Sequence, residues 1–277
     1  MTEADVVART RSLPSTHATL KRDLQSLGVT AGSTILVHSS LSSLGWVVGG
    51  PQAVIGALED AVGTGGTLMM PAFSESAPEP SRWRNPPVPE SWWPIIRNEW
   101  SPYDPAWTPS RGLGVIAELF RTQPGTLRSL HPNDSFAARG PGAQELLRTQ
   151  TLDFGLGENS PLARLFDVGG WVLLLGVDHG SNTSMHLAEH RAEWPGRAAV
   201  FDWAGRVVRD GRIEAVRLRD IDGTSDDFSA LGADYELAGG VVQLGTVGMA
   251  TARLMRQRPL VDYAVGWIER HRRRSPG

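Results

Sequence analysis

A chain of 277 residues, 40% hydrophobic and 21% charged, has the make-up of a soluble globular protein and can bury a substantial core as one large domain. Its formal charge of −3 gives nucleic acid no electrostatic footing as a partner. The absence of cysteine excludes disulfides, thiolate zinc sites and a cysteinyl intermediate together.

The first residues, MTEADVVARTRSLPSTH, lack the basic and apolar regions of a signal peptide. Apolar runs stay far short of the roughly 20 residues that a membrane span needs. A cytoplasmic protein with no membrane partner is therefore expected. Residues 16–27 read as an amphipathic helix, with Leu20, Leu24 and Leu27 on one face and Gly28 as the stop. Residues 33–38 read as a strand ending in the polar turn Ser39-Ser40. Residues 51–62 form a helix opened by proline and closed by glycine, and 67–70 a second buried strand. Strand, helix and strand in this order argue for an α/β fold with a parallel sheet and crossover helices.

Residues 72–109 break the rhythm. The segment is rich in proline and holds Trp83, Trp92, Trp93, Trp100 and Trp107. Rings in that number need burial or a ligand, so an ordered insertion or lid over the site is expected. Residues 111–121 and 141–149 read as helices, and 161–166 as a short helix leading to a strand at 171–175. Residues 198–221 suggest antiparallel strands with turns at Ala204-Gly205 and Asp210-Gly211. Residues 246–255 and 260–271 close the chain as helices.

The segment WVLLLGVDHGSNTSMHLAEH, residues 171–190, concentrates the chemistry. Asp178, His179, Ser181, Asn182, Thr183, Ser184, His186, Glu189 and His190 fall within thirteen positions, and three of the seven histidines lie here. Ligands of parallel sheets bind outside the carboxyl ends of strands, so His179, between strand and helix, is the candidate general base. In a helix begun at Thr183, His186 and His190 share a face with Glu189 beside His186. That string also matches the H-x-x-E-H pattern of inverted zinc peptidases, which gives a zinc-hydrolase alternative built on His186, Glu189 and His190. The turn His38-Ser39-Ser40-Leu41 follows its strand in the same way, offering N–H groups and hydroxyls to a phosphate or an amide chain. His131, in SLHPNDSF, suits either core hydrogen bonding or site lining. Dinucleotide, P-loop and G-x-S-x-G fingerprints are absent.

Charge is unevenly placed. Residues 178–236 hold twelve Asp and Glu against seven Arg, so a cationic ligand would be drawn there. Residues 252–277 hold seven Arg against Asp262 and Glu269 and read as a solvated helical face. A third reading is a binding module in which the tryptophans cup a cation without catalysis.

In order, LVHSSLSSLG (36–45), GGTLMMPAF (65–73), WRNPPVPESWWP (83–94), TPSRGLGVIAELFR (108–121), RSLHPNDSFAARG (128–140), GENSPLARL (157–165) and VLLLGVDHGSNTSMHLAEH (172–190) resemble the aminoglycoside 3-N-acetyltransferase family. The resemblance runs from about residue 20 to the end. It implies a three-layer α/β/α sandwich with a central mixed sheet, a single domain over 1–277, and direct acetyl transfer from acetyl-coenzyme A to an amine of a deoxystreptamine aminoglycoside, conferring resistance. It assigns catalysis to the position of His179, with Glu189 or Asp222 as the carboxylate orienting it. His38, Ser39, Ser40, Leu41, Ser110 and Thr183 would hold the coenzyme. Glu75, Trp83, Asn182, His186 and Asp220 would face the cationic substrate. No metal is expected, and the protein would be a monomer or homodimer. The same chemistry on another amine is the alternative nearest to it.

Overall fold

Strand β1 (Thr34–Ser39) lies between β2 (Thr67–Pro71) and β5 (Trp171–Leu175) and is parallel to both. Their residues alternate between two apolar layers, as a sheet covered on both faces requires. Ile35, Val37, Leu173 and Leu175 enter one layer, while Leu36, Val172 and Leu174 enter the other. The computed structural model describes residues 2–10, 13–83 and 86–272. Arg84 and Asn85 of the insertion, and Arg273 and Arg274 of the basic tail, lie outside the described residues.

Antiparallel strands extend the parallel centre on both sides. These are β3 (Leu127–Arg128) and β4 (Phe136–Arg139) beside β2, and β8 (Val242–Val247) and β9 (Ala250–Arg256) beside β5. Among the described residues the main sheet thus has seven strands, in the order β3-β4-β2-β1-β5-β9-β8. One face is covered by α2 (His17–Leu27), α3 (Gly50–Val62) and α5 (Gly114–Thr122). The other is covered by α6 (Ala143–Leu147), α7 (Pro161–Asp167), α8 (Ser184–Arg191), α10 (Phe228–Leu237) and α11 (Gln257–His271). Three layers result, helices on a mixed sheet on helices. A short α1 (Glu3–Arg9) precedes them, α4 (Trp93–Glu99) lies in the insertion, and α9 (Pro195–Ala198) leads into a separate hairpin of β6 (Val200–Arg209) and β7 (Arg212–Ile221). Among the described residues no helix is long and apolar enough to cross a membrane.

Two sequence expectations give way. Residues 246–255, expected as a helix, are strand end, turn and strand. Ala250, Ala252 and Leu254 are buried while Thr251 is exposed, a period of two that outweighs the helix-forming Ala, Leu, Met and Arg composition. Ala204-Gly205 is no turn but the middle of β6, paired with Arg217 and Val216. Glycine is needed there because a Cβ would come within 2.6 Å of Ala77 in the insertion. Only Asp210-Gly211 turns, both residues having positive φ, as a two-residue hairpin requires.

Tyr103 ties the insertion to the hairpin. Its N–H donates to Arg206 (2.7 Å) and its carbonyl accepts from Val208 (2.6 Å). The phenol is fully buried and donates to the Ser129 carbonyl at 2.7 Å.

Leu174 stands fully buried in the layer under α8, α10 and α11. Leu174→Ala is expected to cost about 2–5 kcal/mol, the range for truncating a buried leucine, as read from the urea midpoint.

Candidate active site

The parallel pairing of β1 with β5 places Ser39 opposite Leu175, so both strands deliver their following loops to one edge. The two loops are stitched together there. The Ser40 N–H donates to the Leu175 carbonyl (3.0 Å), and Ser43 Oγ donates to the Gly176 carbonyl (2.9 Å). After β1 the chain makes a single helical turn, Leu41–Leu44, and after β5 another, His179–Ser181, before α8 begins. α3 and α8 lie on opposite faces of the sheet, so a crevice opens between the two crossovers, as at the switch point of an open α/β sheet.

A cavity of about 850 Å³ fills this crevice, lined by His38, Ser39, Ser40, Leu41, Asn182, Thr183 and His186, with Phe73, Leu113 and Val177 among its apolar walls. Among the described residues, no Lys or Arg lines it. A second cavity of about 300 Å³ lies beside it, lined by the acidic residues Glu75, Glu79, Asp134, Glu189 and Asp220, by Arg82, and by Trp83 and Trp203. Among the described residues, His186 alone lines both.

His186 is held by its own helix. Its Nδ1 lies 2.5 Å from Glu189 Oε2, three residues on. The other carboxylate oxygen of Glu189 accepts from the Thr224 N–H (2.8 Å) and from Arg272 Nη1 (2.5 Å). Glu189 is 1% exposed. Burial opposes its ionisation, but the bonds from His186, Arg272 and Thr224 outweigh that and hold its carboxyl below the ordinary value. An ionised Glu189 accepts a hydrogen bond from the Nδ1–H, which leaves Nε2 as the basic nitrogen of the neutral ring. Nε2 has no hydrogen-bond partner among the described residues.

The other histidines near the cavities cannot carry a proton at neutral pH. Burial first, and then the charge of a protonated His186, holds His38 down at about 3. Its Nε2 lies 3.2 Å from Thr183 Oγ1. Burial likewise holds His190 at about 4, with Nε2 3.5 Å from Asp220 Oδ1.

His179 is not where the sequence reading put it. It lines neither cavity and is 3% exposed, covered by α10. Gly232 lies so close that a Cβ there would stand 2.0 Å from the ring. Its partner is neither Glu189 nor Asp222. Nε2 meets Glu236 Oε1 at 3.0 Å, and Glu236 also accepts from Arg253 Nε at 2.8 Å. Burial lowers the affinity of His179 for a proton against the pull of Glu236. Asp222 pairs with Arg82 at 2.8 Å and lines neither cavity. Ser110 is also displaced from its expected role. Its N–H and hydroxyl both bond Glu118, at 2.9 and 2.6 Å, and it is absent from the lining. Asn182 faces the larger cavity, not the acidic one, and its buried Nδ2 has no partner among the described residues. His38, Ser39, Ser40, Leu41 and Thr183 line the larger cavity together, and Glu75, Trp83 and Asp220 the smaller. His131 is buried beside Asp134 (3.4 Å), hydrogen-bonded to the loop backbone.

The zinc-hydrolase alternative loses the convergence it needs, because the Glu189 oxygens are taken up by His186, Thr224 and Arg272, and His190 Nε2 turns to Asp220. Among the described residues no three His, Asp or Glu groups converge on a metal site. Spacing missed Glu79, Asp134, Glu236 and Arg272, which come from four distant segments.

A family model described as aminoglycoside 3-N-acetyltransferase matches residues 36–269. The SPbeta prophage-derived aminoglycoside N(3')-acetyltransferase-like protein YokD of Bacillus subtilis is 40% identical, covering 95% of each chain. Its crystal structure superposes with a TM-score of 0.92 over 97% of this chain and 98% of that one. Aminoglycoside N(3)-acetyltransferase VIII of Streptomyces fradiae is 39% identical over 97% of this chain and 96% of its own. The structure of AAC-IIIb in binary complex with CoASH is 32% identical, with a TM-score of 0.82 over 95% of this chain and all of that one.

Asp220 gives the smaller cavity a measurable signature. Burial, then the neighbouring charge of Asp134, pushes its carboxyl from 3.8 up to about 7. A carboxyl raised in the folded state costs little below about pH 4; its penalty builds as pH rises from about 4 to about 7 and is fully present above that. Asp220→Asn is therefore expected to raise the urea midpoint at pH 8 and to leave it unchanged at pH 4. A midpoint unmoved at pH 8 would show that Asp220 ionises freely.

Proposed function

The chain belongs to the aminoglycoside 3-N-acetyltransferase family, and on that premise we propose that it acetylates an amine of a deoxystreptamine aminoglycoside with His186 as general base. Acetyl-coenzyme A is the co-substrate. The observation that carries the reading is the position of His186 between a long, largely apolar cavity and a smaller acidic one. A pantetheine arm suits the first, where the Ser39, Ser40 and Thr183 hydroxyls and the Asn182 Nδ2, unpartnered among the described residues, can meet its amide groups. A polycation suits the second, where five carboxylates and two tryptophan rings stand together.

The chemistry follows from that placement. An ammonium has no lone pair and must lose a proton before it can attack a thioester. That first proton is lost to solvent; as the neutral amine attacks, the His186 Nε2 accepts a second proton from its nitrogen while the new C–N bond forms and the C–S bond breaks. The proton then passes from the imidazolium to the departing sulfur. Glu189 keeps the tautomer and steadies the imidazolium, the role a carboxylate plays beside a histidine base. With His38 and His190 held near 3 and 4, the proton has no competing acceptor among those imidazoles. Two cavities meeting at one base favour direct transfer in a ternary complex over an acyl-enzyme. Glu75, Glu79 and Trp83 reach the acidic cavity from the insertion, which supports its reading as a lid within a single acetyltransferase domain, and resistance to the antibiotic is the consequence.

Thiol release from acetyl-coenzyme A, followed with gentamicin, kanamycin and apramycin, tests the proposal. Saturable release with at least one is expected. Binding of the coenzyme with no release from any would send the search to other amines. His186→Ala is expected to lower kcat by about 10² to 10⁴, the share of a general base, and His179→Ala by far less. The reverse ranking in folded variants would return the role to His179.

A further inference from the structure

We propose that Arg272 is a positioning residue for this reaction, its guanidinium clamping the Glu189 carboxylate toward His186 and supplying the fixed positive charge that balances it. The inference rests on His186 being the base. Arg272 caps the end of α11 and lies beyond residues 36–269, the span that the family model matches.

The geometry of the guanidinium is fully determined. Nη1 donates to Glu189 Oε1 at 2.5 Å. Nε and Nη2 form a fork on the two oxygens of Asp227, at 2.8 and 2.5 Å, and Nη2 also reaches the Thr224 carbonyl at 3.0 Å. The Trp194 and Phe228 rings lie 4.7 and 5.9 Å from its central carbon. The same Phe228 ring lies 4.8 Å from the His186 ring. Arg272 side chain and Glu189 are 9% and 1% exposed. Arg272 thus joins α11, α8 and the loop before α10 at one point.

Charge balance explains why an arginine is needed. A resting base is neutral, so His186 cannot offset a carboxylate buried beside it. A buried charge without a partner is strongly destabilising, and arginine stays protonated under all working conditions. The groups facing the pair from other elements do not replace it. His38 on β1 is held neutral, Asp220 on β7 adds negative charge when ionised, and His190 on α8 is held neutral. With Arg272 present, Glu189 and Asp227 share one cation, so the cluster carries a single negative charge that protonation of His186 cancels. Without Arg272 the cluster would carry two. The imidazolium would then be favoured too strongly and the free base would be depleted at neutral pH, while Glu189 would lose one of its three bonds and its orientation.

The test compares Arg272→Met, Arg272→Lys, Glu189→Gln and the Glu189→Gln/Arg272→Met pair in steady-state thiol release, using acetyl-coenzyme A and whichever of gentamicin, kanamycin and apramycin turns over. Arg272→Met is expected to lower kcat about 10- to 100-fold, part of what the base itself supplies, with both KM values nearly unchanged. Its acid limb should move to higher pH. Arg272→Lys, which keeps the charge but loses the fork, is expected to fold, to lower kcat and to leave the limb in place. The double variant should be no slower than Glu189→Gln. Unchanged kcat and limb in Arg272→Met or unchanged kcat in Arg272→Lys would overturn the proposal, as would additive losses in the double variant. His186→Ala separates the two readings. If it keeps turnover the base is misassigned, and if it loses turnover while the Arg272 variants do not, the clamp alone falls.

Discussion

The register of β1 against β5 is the constraint on which the site depends. Five residue pairs, from Ile35 with Trp171 to Ser39 with Leu175, end both strands at one level. The Ser39–Leu41 turn and the Gly180–His186 segment then face a common crevice. A slip of one residue would exchange the two apolar layers, burying in each the side chains meant for the other. The pairing therefore fixes the core and the alignment of the site through the same hydrogen bonds. The helices that follow diverge to opposite faces, which opens the crevice without any loss of packing.

Much of this was legible in the sequence, for a physical reason. Ser33 to His38, Thr67 to Met70 and Trp171 to Leu175 are short apolar runs bounded by polar turns, and a strand buried on both faces has no other signature. The helix carrying His186 and Glu189 showed itself by spacing alone, because neighbours three apart must meet on a helix. The strands β8 and β9 did not, since β8 is interrupted by Gly245 and β9 is written largely in alanine and arginine, residues with little β preference. His179 misled for a different reason. It sits at the carboxyl end of β5, but a single helical turn swings it beneath α10, and its partner Glu236 is 57 positions away. Spacing finds the partners that a helix brings together and is silent about those that a fold does.

The site also separates its electrostatic tasks. Among the described residues, the larger cavity has no Lys or Arg in its lining and holds a histidine kept neutral by burial. The smaller one concentrates carboxylates, several already answered by arginine: Glu79 by Arg97 at 2.6 Å and Glu75 by Arg111 at 3.4 Å. Asp220, half-buried and raised by burial and the charge of Asp134, is the most responsive to an arriving cation. Among the described residues, the two environments touch only at His186.

The bridge between Tyr103 and β6 has an evolutionary reading. The insertion and the hairpin of β6 and β7 both stand outside the seven-stranded sheet, yet each helps wall the acidic cavity, through Glu75, Glu79 and Trp83 on one side and Trp203, Asp220 and Ile221 on the other. The larger cavity is walled mainly by loops anchored on the sheet. Substitutions that reshape the acidic cavity can therefore accumulate on two appendages bolted to each other, while the larger cavity keeps the shape that the sheet-anchored loops give it.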